Sequence, residues 1–181
     1  MRRAACKGKL TRRQFTAGGA LASAVAVIGC ERTKGNSWEF FSDAHARALA
    51  ALCDQIIPAD DFPSASQAGV VNYIDRQVAR HYRKHQSAYR EGLDAADEMS
   101  RKRFGVAFAD ARADGHLQIA VALEKEKRFF FELVRQHTME GYYGSPRHGG
   151  NRDAVSWRML GLDEPPQRGR AQYDLRKGSD A

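Results

Sequence analysis

A chain of 181 residues, 43% hydrophobic and 28% charged, has room for one folded domain plus a leader and a tail. Its formal net charge of +7 suggests nucleic acid or anionic lipid as a partner, but the charge is unevenly placed: residues 1–29 hold six basic side chains (Arg2, Arg3, Lys7, Lys9, Arg12, Arg13) and no acidic one, leaving 23 basic against 22 acidic from Cys30 onward. A near-neutral body excludes the electrostatic footprint of a nucleic-acid binder.

Residues 1–30 have the order of an export leader: a basic region, an apolar region, then a cleavage-like end. Thr11-Arg12-Arg13-Gln14-Phe15 resembles the twin-arginine signal, whose pattern is Ser/Thr-Arg-Arg-x-Phe, so Arg12, Arg13 and Phe15 are its signal residues. The apolar stretch from Ala17 to Gly29 is too short to span a bilayer, which needs about 20 residues, and its Ala and Gly content keeps it weakly hydrophobic. Both properties suit the twin-arginine route, which carries proteins already folded; the alternative is a basic tail followed by an Ala-rich helix. Val27-Ile28-Gly29-Cys30 resembles a lipobox, which makes Cys30 a lipidation candidate whose acyl chains would tether the domain to the membrane surface; the alternatives are ordinary cleavage nearby or retention of the leader as a short anchor. A Cys30–Cys53 disulfide is the competing use of that thiol in an oxidising compartment. These readings place the chain in the periplasm, with the twin-arginine translocase and the membrane surface among its partners.

After a linker over residues 31–41, the pattern is helical throughout residues 42–162 and predicts an all-α single domain of about five helices, with no alternating strand run. Ser42 caps a first helix that Pro58 stops; Leu49, Leu52, Cys53, Ile56 and Ile57 form its apolar stripe, with Cys53 a small core residue. Residues 58–64 form a turn-rich loop, in which Asp60 and Asp61 cap or turn the chain. A second helix carries Val70, Val71, Ile74, Val78 and Tyr82 on one face. A third runs through Tyr89, Leu93, Ala96 and Met99 to near Gly105, and a shorter one lies around Leu117 to Leu123.

Over 126–143, successive 100° steps spread Phe129, Phe130 and Phe131 over about 200° of a helix, wider than the stripe of roughly 100° that a surface helix buries. The helix is therefore central to the bundle, or covered by another protein on its second side; a central position with one edge at an interface is the favoured expectation. His137 falls inside this arc, as a packed, hydrogen-bonded histidine or as a ligand or proton relay. His137 and Glu140 at i, i+3 fit half of a carboxylate-bridged metal site, but no second pair completes it. His81 and His85, four apart, could share a helix face as metal ligands do, but Arg80, Arg83 and Lys84 beside them would repel a cation. No metal site, nucleophile elbow, dinucleotide loop or haem-attachment motif is present in the sequence. Beyond it, Gly141 and Gly144 beside Pro146 end the helix, Gly149 and Gly150 permit positive φ, and Asn151 or Asp153 caps a last short helix with Val155, Trp157 and Leu160. Residues 163–181 offer little to bury and are expected to form a flexible tail.

The segment His137-Thr138-Met139-Glu140-Gly141, then His148-Gly149-Gly150-Asn151, then Trp157, resembles the closing signature of the gluconate 2-dehydrogenase subunit 3 family. Leu52-Cys53-Asp54-Gln55-Ile56-Ile57-Pro58 and Gly69-Val70-Val71-Asn72-Tyr73-Ile74-Asp75 resemble its start; the likeness covers about residues 43–162. His148 departs from it, standing where the family commonly has Tyr. The resemblance implies a non-catalytic small subunit of a membrane-associated sugar-acid or alcohol dehydrogenase. FAD would lie on a large subunit and haem c on a multihaem cytochrome c subunit, with no cofactor on this chain. The small subunit would lend its leader to the folded large one. Candidate interface residues are Phe129, Phe130, Phe131, His137, Glu140, Tyr142, Tyr143, His148, Gly149, Gly150, Asn151 and Trp157. The competing reading is a free-standing exported helical lipoprotein that binds a ligand or another partner.

Overall fold

The computed structural model describes residues 38–162; the leader motif, Cys30 and the C-terminal tail lie outside the described residues. The described chain is helical, in the order α1 (Asp43–Ile56), α2 (Val70–Arg80), α3 (Gln86–Phe104), α4 (Ala113–Glu126), α5 (Arg128–Tyr143) and α6 (Val155–Met159), with four short 3-10 turns between them. This is the expected all-α architecture, with the sixth helix only five residues long.

Local chemistry sets the boundaries. The side chain of Ser42 accepts a hydrogen bond from the backbone N–H of His45, capping α1 as expected. Asp60 accepts from the N–H of Phe62, so this carboxylate closes a turn. Gly105, at φ +75°, ends α3 by returning its N–H to Arg101 O. Residues 126–143 are not one helix: α4 extends to Glu126, and the non-helical backbone of Lys127 (φ −128°, ψ 43°) separates it from α5. The periodicity of 117–123 therefore understated α4.

Helix α5 packs against α1, α2, α3, α4 and α6, so the expectation that it is central holds. Its inward side is Phe130, Leu133, Val134, His137, Thr138, Gly141 and Tyr142. These meet Leu49, Leu52 and Cys53 of α1, Val70, Ile74 and Val78 of α2, Tyr89, Leu93 and Ala96 of α3, and Ile119 and Leu123 of α4 in a single apolar core. Phe108, on a 3-10 turn that periodicity did not predict, is fully buried beside them, its N–H donating to Asp97. Among the described residues no helix is long and apolar enough to cross a membrane.

The three phenylalanines of α5 separate. Phe130 is buried, with its ring where a side chain on Gly92 would be; Phe131 is half-buried; and Phe129 is 66% exposed. The wide apolar arc is thus an ordinary core stripe plus one protruding aromatic.

Candidate functional site

Within about two turns of α5, four side chains (His137, Thr138, Glu140 and Tyr142) make hydrogen bonds to neighbouring elements. The hydroxyl of Thr138 donates to Sγ of Cys53 on α1 at 3.2 Å. His137 Nδ1 and the hydroxyl of Tyr89 on α3 share a 2.9 Å hydrogen bond, and Tyr82 stacks on the imidazole at 4.4 Å between ring centres. Tyr73 of α2 and Tyr82 both donate to Oε2 of Glu140 at 3.1 Å, while Gln136 donates to Oε1 at 2.9 Å. Tyr142 donates to Pro63 O in the loop after α1. Residues brought together this way come from 48 to 85 positions apart in sequence, so the cluster is a set of cross-links between helices.

The glycines close the same cluster. Gly141 does not end α5, as the sequence suggested; it lies inside the helix, because a Cβ there would sit 2.8 Å from the Tyr73 ring. Gly144 is the residue that caps α5. Gly149 does take positive φ, +100°, but Gly150 does not; its missing side chain lets the backbone press against the carbonyl of Gly141. Asn151 is buried in the left-handed region (φ 44°), its amide donating to Gly144 O and accepting from the N–H of Ser156 on α6. Asn151 therefore serves the last helix. Asp153 is exposed, and its side chain makes no hydrogen bond to that helix. Arg152 N–H donates to Ala68 O, joining this loop to the start of α2.

Burial fixes the protonation chemistry. Desolvation pulls His137 from its ordinary value of 6.5 down to about 4, against an opposing pull from Glu140, so the imidazole is neutral at neutral pH. Burial pushes the Cys53 thiol up to about 12, only partly offset by Thr138, which makes it unreactive as a nucleophile. Desolvation and the Glu140 carboxylate raise the phenols of Tyr73 and Tyr82 above their usual range. Among the described residues no three His, Cys, Asp or Glu side chains converge as a metal site. The hydrogen-bonding partners of His137 and Glu140 are internal, and the pair acts here as a clasp between helices.

This yields a pH prediction. Between about pH 6.5 and 4 the unfolded chain binds a proton at His137 that the folded chain does not, so stability is lost as pH falls through that window. The loss, discounted for solvent screening, is on the order of 2 kcal/mol. Urea unfolding at pH 7.5 and 4.5 should show that excess slope in the native chain, and His137→Gln, which keeps a partner for Tyr89, should remove it.

The candidate interface residues divide by exposure. Phe130, His137, Tyr142, Gly150 and Asn151 are buried and held by internal contacts. Phe131, Glu140, Gly149 and Trp157 are half-buried, Trp157 donating its indole N–H to Tyr143 O. Phe129, Tyr143 (37% exposed) and His148 are on the surface. Phe129, Glu132, Gln136, Met139 and Tyr143 recur at steps of three and four and so form one outward seam of α5. Phe129 stands on a ridge between two grooves. The groove of about 260 Å³ lies over Ala88, Glu91, Lys127 and Arg128. The other, of about 460 Å³, lies over His85, Leu133, Arg135, Gln136 and Met139.

The closing motif of this small helical domain ties its own helices together, and its central helix keeps Phe129 and one seam outside. The sequence pattern of the gluconate 2-dehydrogenase subunit 3 family matches residues 43–163. The chain belongs to that family, which makes it an accessory protein of the gluconate 2-dehydrogenase type. No curated protein and no solved structure matches it.

Proposed function

We propose that this chain is the non-catalytic small subunit of an exported flavin-dependent sugar-acid or alcohol dehydrogenase. It binds the folded, FAD-bearing large subunit, and its twin-arginine leader carries the pair across the membrane. At the far side it steadies the complex, where a multihaem cytochrome c receives the electrons and an acylated Cys30 tethers the assembly. Family membership over the whole folded domain is the observation that carries this reading. The Thr11–Phe15 motif supports the export step, and the α5 seam supports docking.

A solvent-exposed phenylalanine flanked by two grooves has the form of an interface anchor: the partner fills the grooves while the ring enters a pocket. Burying a full aromatic side chain contributes about 2 kcal/mol or more at such a position, roughly thirtyfold in affinity. Capture of the flavoprotein by tagged Phe129→Glu should therefore fall at least that far below native capture, with thermal stability unchanged because residue 129 contributes nothing to the core. Equal capture by the two chains would exclude this seam.

A second reading, a free-standing lipoprotein that binds a ligand, is favoured by a cavity of about 490 Å³ beside Trp38, Arg47, Asn72 and Arg152. It predicts recovery of the chain without any flavoprotein under the same gentle conditions.

A further inference from the structure

We propose that Asp75 is a fastener that makes the attachment of the leader conditional on a completed fold. This rests on the export reading above. Residues 39–41 belong to neither helix nor strand, yet their three successive N–H groups converge on one carboxylate. Glu39 N–H donates to Oδ2 of Asp75 at 2.6 Å, and Phe40 and Phe41 N–H both donate to Oδ1 at 3.0 Å. Asp75 lies on α2, 34 to 36 residues later, and is only 3% exposed. A buried carboxylate is stable only with such donors, and irregular backbone near a core needs such an acceptor, so neither half holds without the other.

Side chains of the same three residues extend the clasp. Glu39 receives two hydrogen bonds from Arg80, at 2.9 and 2.6 Å. The guanidinium of Arg90, on α3, lies 4.8 Å over the Phe40 ring. Phe41 is buried edge-on against Tyr89, which is itself bonded to His137 of α5. The segment that follows the leader is therefore captured only once α2, α3 and α5 are together. In the sequence only residues 31–37 lie between Cys30 and Trp38, so the clasped residues follow the leader closely along the chain. Export of folded cargo gains from such an arrangement: an incompletely packed domain would present its leader on a loose, protease-sensitive segment.

The test uses the full chain. Hydrogen exchange on Asp75→Asn should show the amides of residues 39–41 losing about tenfold to hundredfold of their protection, while α5 amides change far less. Delivery of the same variant to the periplasm should fall severalfold. Unchanged protection overturns the proposal, and so does lost protection with normal delivery. Should Asp75→Asn fail to fold, Arg80→Gln alters only the exposed outer pair and should loosen the Glu39 amide severalfold; an unaltered amide there counts against the clasp. Normal delivery of a chain with Arg12→Lys and Arg13→Lys would instead remove the export reading, and the proposal with it.

Discussion

Replacing Gly150 by alanine is expected to lower thermal stability by about 10 °C or more. The new Cβ would overlap the carbonyl oxygen of Gly141. Overpacking costs about 1–3 kcal/mol where a side chain can rotate away, and more where the obstruction is backbone. Here the obstruction is a carbonyl inside α5, fixed by the Tyr73 ring on one side. Yielding would drag the loop off α5, and with it the Asn151 bonds to Gly144 and Ser156 and the Arg152 bond to Ala68. Gly105→Ala is the matched control. Nothing lies within 4 Å of a Cβ there, so only the left-handed backbone (φ +75°) resists it, at about 1 kcal/mol. Calorimetry on the two variants should separate them by roughly 2 kcal/mol or more. Equal losses would mean that the Gly149-Gly150-Asn151 turn matters only for its backbone angles.

Lysine at both Arg12 and Arg13 should reduce periplasmic delivery of this chain to background, and delivery of the large subunit with it. The substitution conserves charge, so it tests recognition of the guanidinium pair rather than net positive charge. The apolar stretch that follows is too short and too weakly hydrophobic to substitute by spanning the bilayer on its own. Fractionation followed by immunodetection of both subunits reads the outcome. Loss of this chain alone, with the large subunit still exported, would show that the leader serves only its own polypeptide.

Much of this architecture was legible in the sequence because the helices are amphipathic and punctuated. Ser42, Pro58, Gly105 and Gly144 mark real ends, and the stripe of Leu49, Leu52 and Cys53 is buried as its spacing requires. Periodicity failed where the backbone breaks without a signal residue. Lys127 divides two helices with no proline or glycine, and Phe108 reaches the core from a three-residue turn. The spacing placed His137 on the apolar side of α5, where it is buried, but its partner Tyr89 lies 48 residues away, a distance local pattern cannot bridge. Glu140 was visible only as half of a pair with His137. That it binds two tyrosine hydroxyls follows from the meeting of α2 and α5, and the helical periodicity shows Tyr82 only as an apolar position. The role of Asp75 was hidden for a related reason: an aspartate beside an apolar stripe looks like a surface residue until the irregular segment whose N–H groups it accepts is in place. The phenylalanine triplet showed an excess of apolar surface, and only packing revealed that Phe129 carries it.

Flavin content is the most direct test of whether this domain holds a flavoprotein. Native tagged chain, purified gently from membranes of its own host, should carry a larger yellow protein whose flavin absorbance corresponds to about one FAD per chain. Recovery of the chain colourless and alone, with Phe129 freely accessible in the purified material, would contradict the account.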